Sequence, residues 1–113
     1  MIKDTDIIKE IKKVYELLLK PPSQLRPNEN KDFNLYLKKA NEKTINNLKN
    51  LGFTITEDST PYAIKISVDD YLNNLIKREN TRLADLGYPT LKTCILIGLC
   101  YLLEKNGIEC DIW

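Results

Sequence analysis

Residues 90–105 read TLKTCILIGLCYLLEK and form the longest apolar segment of the chain. Apolar residues fall on every side of the helix that this stretch predicts, so the rest of the protein has to cover it on all sides. It is shorter than the about 20 apolar residues that span a bilayer, and charged residues flank it closely. We therefore predict a central buried helix over residues 90–105, against which the other elements pack or two subunits meet.

Length and composition are those of one soluble domain. The chain has 113 residues, of which 42% are hydrophobic and 29% charged, so we expect a single domain over residues 1–113. Residues 1–52 hold 11 Lys and Arg against 7 Asp and Glu, whereas residues 53–113 hold 6 against 9. A basic half joined to an acidic half indicates either a nucleic-acid-binding face or two solvated surfaces, and both interpretations stay open.

The three cysteines, Cys94, Cys100 and Cys110, are odd in number and lack the C-x-x-C spacing. We interpret them as buried free thiols rather than as a disulfide framework or a zinc site. Free thiols are typical of the reducing cytoplasm. The first residues, MIKDTDIIKEIKK, interleave charges with isoleucines and so differ from a secretory signal. The sequence predicts a cytoplasmic protein that does not enter the membrane.

Three further helices are predicted from apolar residues that recur with helical period, at about residues 5–19, 31–51 and 69–86. The second has a weak part at residues 39–42, where it could divide into two shorter helices. Each predicted end has a residue that commonly stops a helix: a proline pair after the first, and glycines after the other two.

Two segments alternate apolar and polar residues with the period of a strand. Residues 53–57 and 62–68 flank a turn cluster, EDSTP, and predict an antiparallel β-hairpin. The C-terminal tail from residue 108 alternates in the same way and predicts a strand added to that hairpin. The predicted fold is α+β: four helices packed on a three-stranded antiparallel sheet, made of the hairpin and the C-terminal strand.

Residue types that carry enzyme chemistry are scarce. The chain has no histidine, which removes the commonest general base and a common metal ligand. A hairpin nuclease motif would require a carboxylate two residues before Lys65, and that position is Ala63. The pair Asp69-Asp70 is explained by the preference for acidic residues in the first turn of a helix. We expect no catalytic residue, no metal and no cofactor, and hence no enzyme.

Residues 31–68 resemble the core of a winged-helix domain: a helix, a turn at residues 40–42, a second helix NEKTINNLKNLG and a hairpin wing. The resemblance implies that the second helix meets double-stranded DNA. Lysines would contact phosphates and asparagines would lie nearest the bases. The residues implied are Lys38, Lys39, Lys43, Lys49 and Lys65, with Asn46, Asn47 and Asn50.

Residues 63–104 resemble a ribbon-helix-helix unit, with an alternating strand, a helix that starts with acidic residues, a glycine turn and a buried helix. In that family the outward strand residues enter the major groove; here they would be Lys65 and Ser67, with Ala63 as a further candidate. The turn at Tyr88-Pro89-Thr90 would lie on a phosphate. Acidic residues outnumber basic ones in this half of the chain, which favours the winged-helix version.

The predicted function is a non-enzymatic DNA-binding protein, a small regulator or accessory factor of a phage or plasmid, which could dimerise through the core helix. The alternative is a small protein-binding module, such as an inhibitor or immunity protein encoded by a mobile element. Such a module acts by surface complementarity, and aromatic residues are its usual anchors. The candidate anchors are Tyr62, Tyr71, Tyr88, Tyr101 and Trp113.

Overall fold

The computed structural model describes residues 2–19, 33–39, 41–57, 64–79 and 85–112. Within those ranges the chain forms four helices and four strands. In chain order they are α1 (Asp4–Leu19), β1 (Leu35–Leu37), α2 (Glu42–Leu51), β2 (Thr54–Glu57), β3 (Ile64–Ser67), α3 (Asp69–Glu79), α4 (Tyr88–Lys105) and β4 (Cys110–Ile112). The predicted α+β class is confirmed. In the ranges just given, none of the helices combines the length and apolarity needed to cross a membrane.

The sheet has four antiparallel strands rather than three, in the order β2-β3-β1-β4. The predicted hairpin strands β2 and β3 do pair with each other. The C-terminal strand β4, however, pairs with β1 and not with the hairpin, so that Leu37 faces Cys110 on one side and Ile64 on the other. The extra strand therefore lies between the elements that the sequence placed side by side.

The additional strand comes from the middle of the helix predicted over residues 31–51, and that part of the prediction is wrong. Leu35 and Leu37 are fully buried on one face of β1, and Tyr36 is buried on the other face. Burial on both faces produces an unbroken apolar run, which a strand and a helix can share and which periodicity alone cannot assign.

The second helix begins only at Glu42, within the segment that the sequence marked as weak. Asn41 caps it: its side-chain oxygen accepts a hydrogen bond from the Thr44 backbone N–H at 2.8 Å. Gly52 ends the helix in the left-handed conformation, with φ of 109°, where a side chain would be strained.

The predicted central helix α4 is buried along its inner side, but it is not covered on all sides. Leu91, Ile95, Leu99 and Leu103 are among its fully buried residues. Helix α1 crosses it at Gly98, where an added Cβ would lie 2.8 Å from the Cβ of Glu10. The cover is incomplete on the α1 side, where the α4 residues Ile97 and Tyr101 are half-buried and exposed respectively.

Two carboxylates join the helices through side-chain hydrogen bonds. Asp4 of α1 accepts hydrogen bonds from Arg78 and from the Tyr71 hydroxyl, both on α3. The Arg78 hydrogen bond is the main reason that the pKa of Asp4 lies below its usual value. Burial, and then the bond to Asp4, raises the pKa of the Tyr71 hydroxyl well above its usual value.

Asp69, at the start of α3, makes the corresponding link to α4. It accepts a hydrogen bond from the Tyr88 hydroxyl at 2.6 Å, and Lys92 Nζ lies 3.1 Å from its carboxylate. Burial alone would raise the pKa of Asp69, but the bonds from Tyr88 and Lys92 outweigh it and the pKa is lowered. Both carboxylates thus act as structural links between helices.

The cysteines differ from the prediction of three free thiols. Cys100 and Cys110 form a disulfide with their Cα atoms 5.9 Å apart, and only Cys94, among the described residues, is a buried free thiol. The turn after α4 brings β4 back alongside the end of the helix. Cys100 on α4 and Cys110 on β4 therefore meet. The cytoplasmic location was argued from free thiols, so it stays a prediction without that support.

Candidate functional site

Four of the residues predicted to bind DNA share the exposed face of α2. Lys43, Asn46, Lys49 and Asn50 are all exposed, and their spacing of three and four residues places them on one side of the helix. Glu42 is exposed on the same helix, so the face carries two positive charges and one negative charge. This is a polar surface with a weak positive charge.

Asn47 has a structural role instead. Its side-chain oxygen accepts a hydrogen bond from the Ile2 backbone N–H at 3.0 Å, and its amide nitrogen donates one to the Ile2 carbonyl at 3.0 Å. Both ends of the amide are therefore occupied in holding the N-terminal segment on α2. Reading a base edge would require these bonds to break.

The other three predicted lysines lie on other elements. Lys38 follows β1, with its Nζ 3.7 Å from Glu109. Lys39 lines a shallow hollow beside Asn41, and Lys43 lines a neighbouring hollow of about 190 Å³. Lys65 is half-buried in β3, where its cross-strand neighbours are Tyr36 and Thr56. Lys39 and Lys43 thus border two separate hollows that share Asn41, the residue before α2.

The described topology departs from both DNA-binding resemblances. The winged-helix resemblance requires a helix before the turn at residues 40–42, and that position holds strand β1. The ribbon-helix-helix resemblance places β3 in the major groove, which admits no β-structure wider than a two-stranded ribbon. Strand β3 cannot enter it in that way, because it has a neighbouring strand on each side in a four-stranded sheet.

A groove between α1 and α4 is the main exposed apolar feature of the described residues. We call it the α1–α4 groove; its volume is about 260 Å³ and its lining residues are Glu10, Lys13, Val14, Leu17, Ile97 and Tyr101. Leu17 is 56% exposed and Tyr101 is 47% exposed. They are two of the three exposed large apolar side chains in the described ranges.

The groove has one acidic and one basic residue in its lining, and they are paired with each other. Lys13 Nζ lies 3.6 Å from Glu10, which is itself buried. On the α4 side, Lys105 Nζ lies 5.2 Å from the centre of the Tyr101 ring, a distance at which a cation and an aromatic face attract each other. The groove therefore combines an apolar floor with Lys13 on its α1 side and Lys105 on its α4 side.

Of the predicted aromatic anchors, Tyr101 is the one that lies in this groove. Tyr71 is a core residue that is fully buried and stacks on Phe53, with ring centres 4.3 Å apart. Tyr88 is exposed, but its hydroxyl binds Asp69. Tyr62 and Trp113 lie outside the described residues.

Sequence reasoning missed Leu17, although a signal was present. The apolar stripe of α1 runs through Ile7, Ile11 and Val14, and Leu17 lies outside the face that the stripe defines. An apolar residue that lies outside the apolar face of its helix is exposed unless another element covers it. Leu17 is 56% exposed.

One group of side chains in the described ranges has the composition of a metal site. Cys100, Glu104 and Cys110 each offer one ligand atom, and these atoms lie within 4.8 Å of one another. We call this group the sulfur–carboxylate cluster. Cys94 lies apart from it, and burial raises the pKa of its thiol to about 11, which disfavours a reactive thiolate.

No protein-family model, no curated protein and no solved structure matches this chain.

Proposed function

We propose that this protein is a non-enzymatic protein-binding module and that it binds its partner through the α1–α4 groove. One observation carries the proposal: Leu17 and Tyr101, two strongly exposed apolar side chains from separate helices, lie together in one groove. A small inhibitor or immunity protein, which acts by surface complementarity, is a class of protein that works in this way.

The shape and composition of the groove suit a helical ligand. Two helices with a gap between them form a surface into which an amphipathic helix can place its apolar side chains at spacings of three and four residues. Tyrosine is enriched among the residues that contribute most to binding at protein interfaces. Tyr101 is thus the expected main anchor, with Leu17 and Ile97 beside it.

The charges around the groove define the partner more narrowly. Lys13 of α1 lines the groove, Lys105 of α4 lies beside its Tyr101 ring, and Glu10 is already beside Lys13. A partner helix with acidic residues flanking its apolar face would match these lysines. A second copy of this chain would bring its own lysines against them. We therefore propose a different, acidic amphipathic partner, and the predicted homodimer is the less favoured occupant.

Binding to double-stranded DNA stays a prediction. Lys43, Asn46, Lys49 and Asn50 remain available on α2, but Asn47 is engaged by Ile2. The exposed face of α2 is only weakly basic, whereas duplex binding depends on several phosphate contacts by lysine and arginine. The geometry of the described residues therefore favours the protein partner.

A display experiment tests the proposal. A library of peptide fragments from the source genome is selected on the immobilised protein, with prior depletion on a Leu17→Glu/Tyr101→Glu variant whose fold is checked by circular dichroism. The expected winners are amphipathic helices with acidic flanks. Their affinity should fall by more than about tenfold in Tyr101→Ala. A Lys43→Glu/Lys49→Glu variant, altered on α2, is the matched control and should bind normally.

Salt dependence separates the two functions. Affinity for a random duplex should fall by orders of magnitude between about 50 and about 200 mM salt if the α2 lysines bind phosphates, and the Lys43→Glu/Lys49→Glu variant should lose it. Peptide binding anchored by Tyr101 should change far less over that range. An absence of winners after the depletion, or winners that bind Tyr101→Ala as tightly as the wild type, would contradict the proposal.

A further inference from the structure

The C-terminal end of α4 and the start of β4 bring three ligand-type side chains to one point. Cys100 and Glu104 are four residues apart on α4 and so lie on the same face of the helix. Gly107, with φ of 79°, lies in the turn that reverses the chain, and Cys110 opens β4 opposite Cys100. The arrangement is fixed by a helix, a turn and a paired strand rather than by mobile side chains alone.

The two sulfur–oxygen distances within the sulfur–carboxylate cluster are close to those of a metal-binding geometry, whereas the two sulfurs are bonded to each other here and would separate to about 3.8 Å in a reduced, metal-bound form. Glu104 Oε1 lies 3.7 Å from Cys100 Sγ and 3.9 Å from Cys110 Sγ. In a tetrahedral site with metal–sulfur bonds of about 2.3 Å and metal–oxygen bonds of about 2.0–2.2 Å, the sulfur and oxygen ligands are about 3.5 Å apart. One oxygen is thus placed almost equally from both sulfurs, within a few tenths of an ångström of the required spacing.

Glu104 is an exposed residue whose carboxylate meets few protein groups in the described ranges. Among the ion pairs of the described residues none includes Glu104, and its contacts are the two sulfur atoms. A disulfide has no proton, so neither sulfur can donate a hydrogen bond to the carboxylate. A cation bound between the two sulfurs and this oxygen would satisfy all three.

We propose that the reduced form of the cluster binds a thiophilic divalent cation, with Cys100, Cys110 and Glu104 as ligands. Two thiolates and one carboxylate suit Zn²⁺, whereas Mg²⁺ and Ca²⁺ prefer oxygen ligands alone. Three protein ligands leave a fourth position, and Glu104 is exposed, so water or a group from a partner completes the tetrahedron. The inference is independent of the α1–α4 groove and departs from the sequence-based prediction of no metal.

The change from disulfide to metal site balances in two steps. A dithiol reductant transfers two electrons and two protons to the Cys100–Cys110 disulfide and is itself oxidised to a disulfide. The cation then displaces the two thiol protons, which pass to solvent, because thiolates are the binding form. In either state β4 is attached to α4, once by a sulfur–sulfur bond and once through the metal.

Cobalt binding by the full-length, tag-free protein tests this site. The chain contains no histidine, so removal of a histidine tag removes the main competing ligand. Reduced protein, freed of small thiols, is titrated with Co²⁺ and then with Zn²⁺. We expect one Co²⁺ per chain, with the thiolate-to-cobalt charge-transfer band and the visible bands of tetrahedral cobalt, and complete displacement by Zn²⁺. Oxidised protein should bind neither ion.

Single substitutions assign the ligands. Loss of a group just outside a metal's ligand shell already weakens binding about 10–100-fold, so Cys110→Ser and Glu104→Gln should each weaken it at least that much. Cys94→Ser, in the same helix, and Glu109→Gln, beside Cys110, are the matched controls and should bind as the wild type. Glu104→Gln changes an exposed residue, so it tests the site even if Cys110→Ser fails to fold.

Two results would overturn the proposal. One is the absence of the thiolate-to-cobalt band in reduced wild-type protein. The other is a band of equal strength and affinity in wild type and in Glu104→Gln, which would remove the carboxylate from the site.

Discussion

The side chains of α4 that lie outside the apolar core have different roles in its two halves. In the first half, Tyr88 and Lys92 bind Asp69, and the Thr93 hydroxyl donates a hydrogen bond to the Pro89 carbonyl at 2.9 Å. In the second half, Ile97 and Tyr101 line the α1–α4 groove. One end of the helix is therefore occupied by its own protein, whereas the other end presents groups that can meet a ligand.

The difference shows where function can be sought in a helix that is buried along its whole inner side. Leu91 in the first half and Leu103 in the second are equally buried. Burial therefore does not distinguish the halves. The halves differ in whether the side chains outside the apolar core already bind a residue of another element, as Tyr88 and Lys92 bind Asp69.

Replacing a buried residue in the first half should have the largest effect on stability. Leu91→Ala removes a fully buried side chain and should lower the free energy of unfolding by about 2–5 kcal/mol. Tyr101→Ala, in the second half, should change it by less than about 1 kcal/mol because the ring is largely exposed. Urea unfolding of both variants checks the comparison. Equal losses would show that Tyr101 is a structural residue.

Removal of the Lys92–Asp69 link between α3 and α4 should have the second-largest effect on the free energy of unfolding. The Lys92 side chain is 11% exposed, and Lys92→Ala leaves Asp69 with fewer donors, so we expect a loss of about 1–3 kcal/mol. Glu104→Ala, the matched change of a charged residue in the second half, should stay within about 0.5 kcal/mol. Thermal unfolding of oxidised protein measures both; a larger loss for Glu104→Ala would reverse the comparison.

Gly98 marks the boundary between the halves and sets the distance from α1. Gly98→Ala brings a Cβ to 2.8 Å from the Cβ of Glu10, and the overpacking should lower the free energy of unfolding by about 1–3 kcal/mol. The higher helix propensity of alanine offsets up to about 1 kcal/mol of this loss. A double-mutant cycle with Glu10→Gly measures the contact directly. Additive effects in that cycle would show that the helices separate freely at this point.

Acid should weaken the first half through Asp69. Its pKa is lowered in the folded protein, so the unfolded chain takes up the proton first as the pH falls through about 4. The stability from this carboxylate is complete above that pH and is lost as the pH falls through the folded pKa. Asp69→Asn should therefore reduce the dependence of the urea midpoint on pH between about 5 and about 3. An unchanged slope would contradict the role given to Asp69.

Much of the fold could be predicted because it follows from local patterns. The buried helix, the β2–β3 pair and the end of α2 at Gly52 each have a sequence signal that depends on neighbouring residues. Strand β1 has no such signal, since its pairing with β3 and β4 depends on residues far along the chain. Tertiary pairing overrides local preference in such a strand.

The candidate site was less predictable because it depends on which elements pack together. Tyr101 was among the expected anchors, but its neighbour Leu17 comes from a helix more than eighty residues earlier. The role of Asn47 also depends on a distant part of the chain, because its hydrogen-bond partner is Ile2. Cys100 and Cys110 are the exception, because a helix followed by a glycine turn and a strand suffices to bring them together.

Site-specific photocrosslinking at the two ends of α4 shows whether a partner binds at the Tyr101 end of the helix and not at the Tyr88 end. A photoreactive phenylalanine derivative is placed at position 101 in one protein and at position 88 in another, and each is irradiated in an extract of the source cells. We predict that position 101 crosslinks one identifiable acidic partner, that Leu17→Glu abolishes this product, and that position 88 does not form it. The same product from both positions, or crosslinking of position 101 only to a second copy of this chain, would contradict the account.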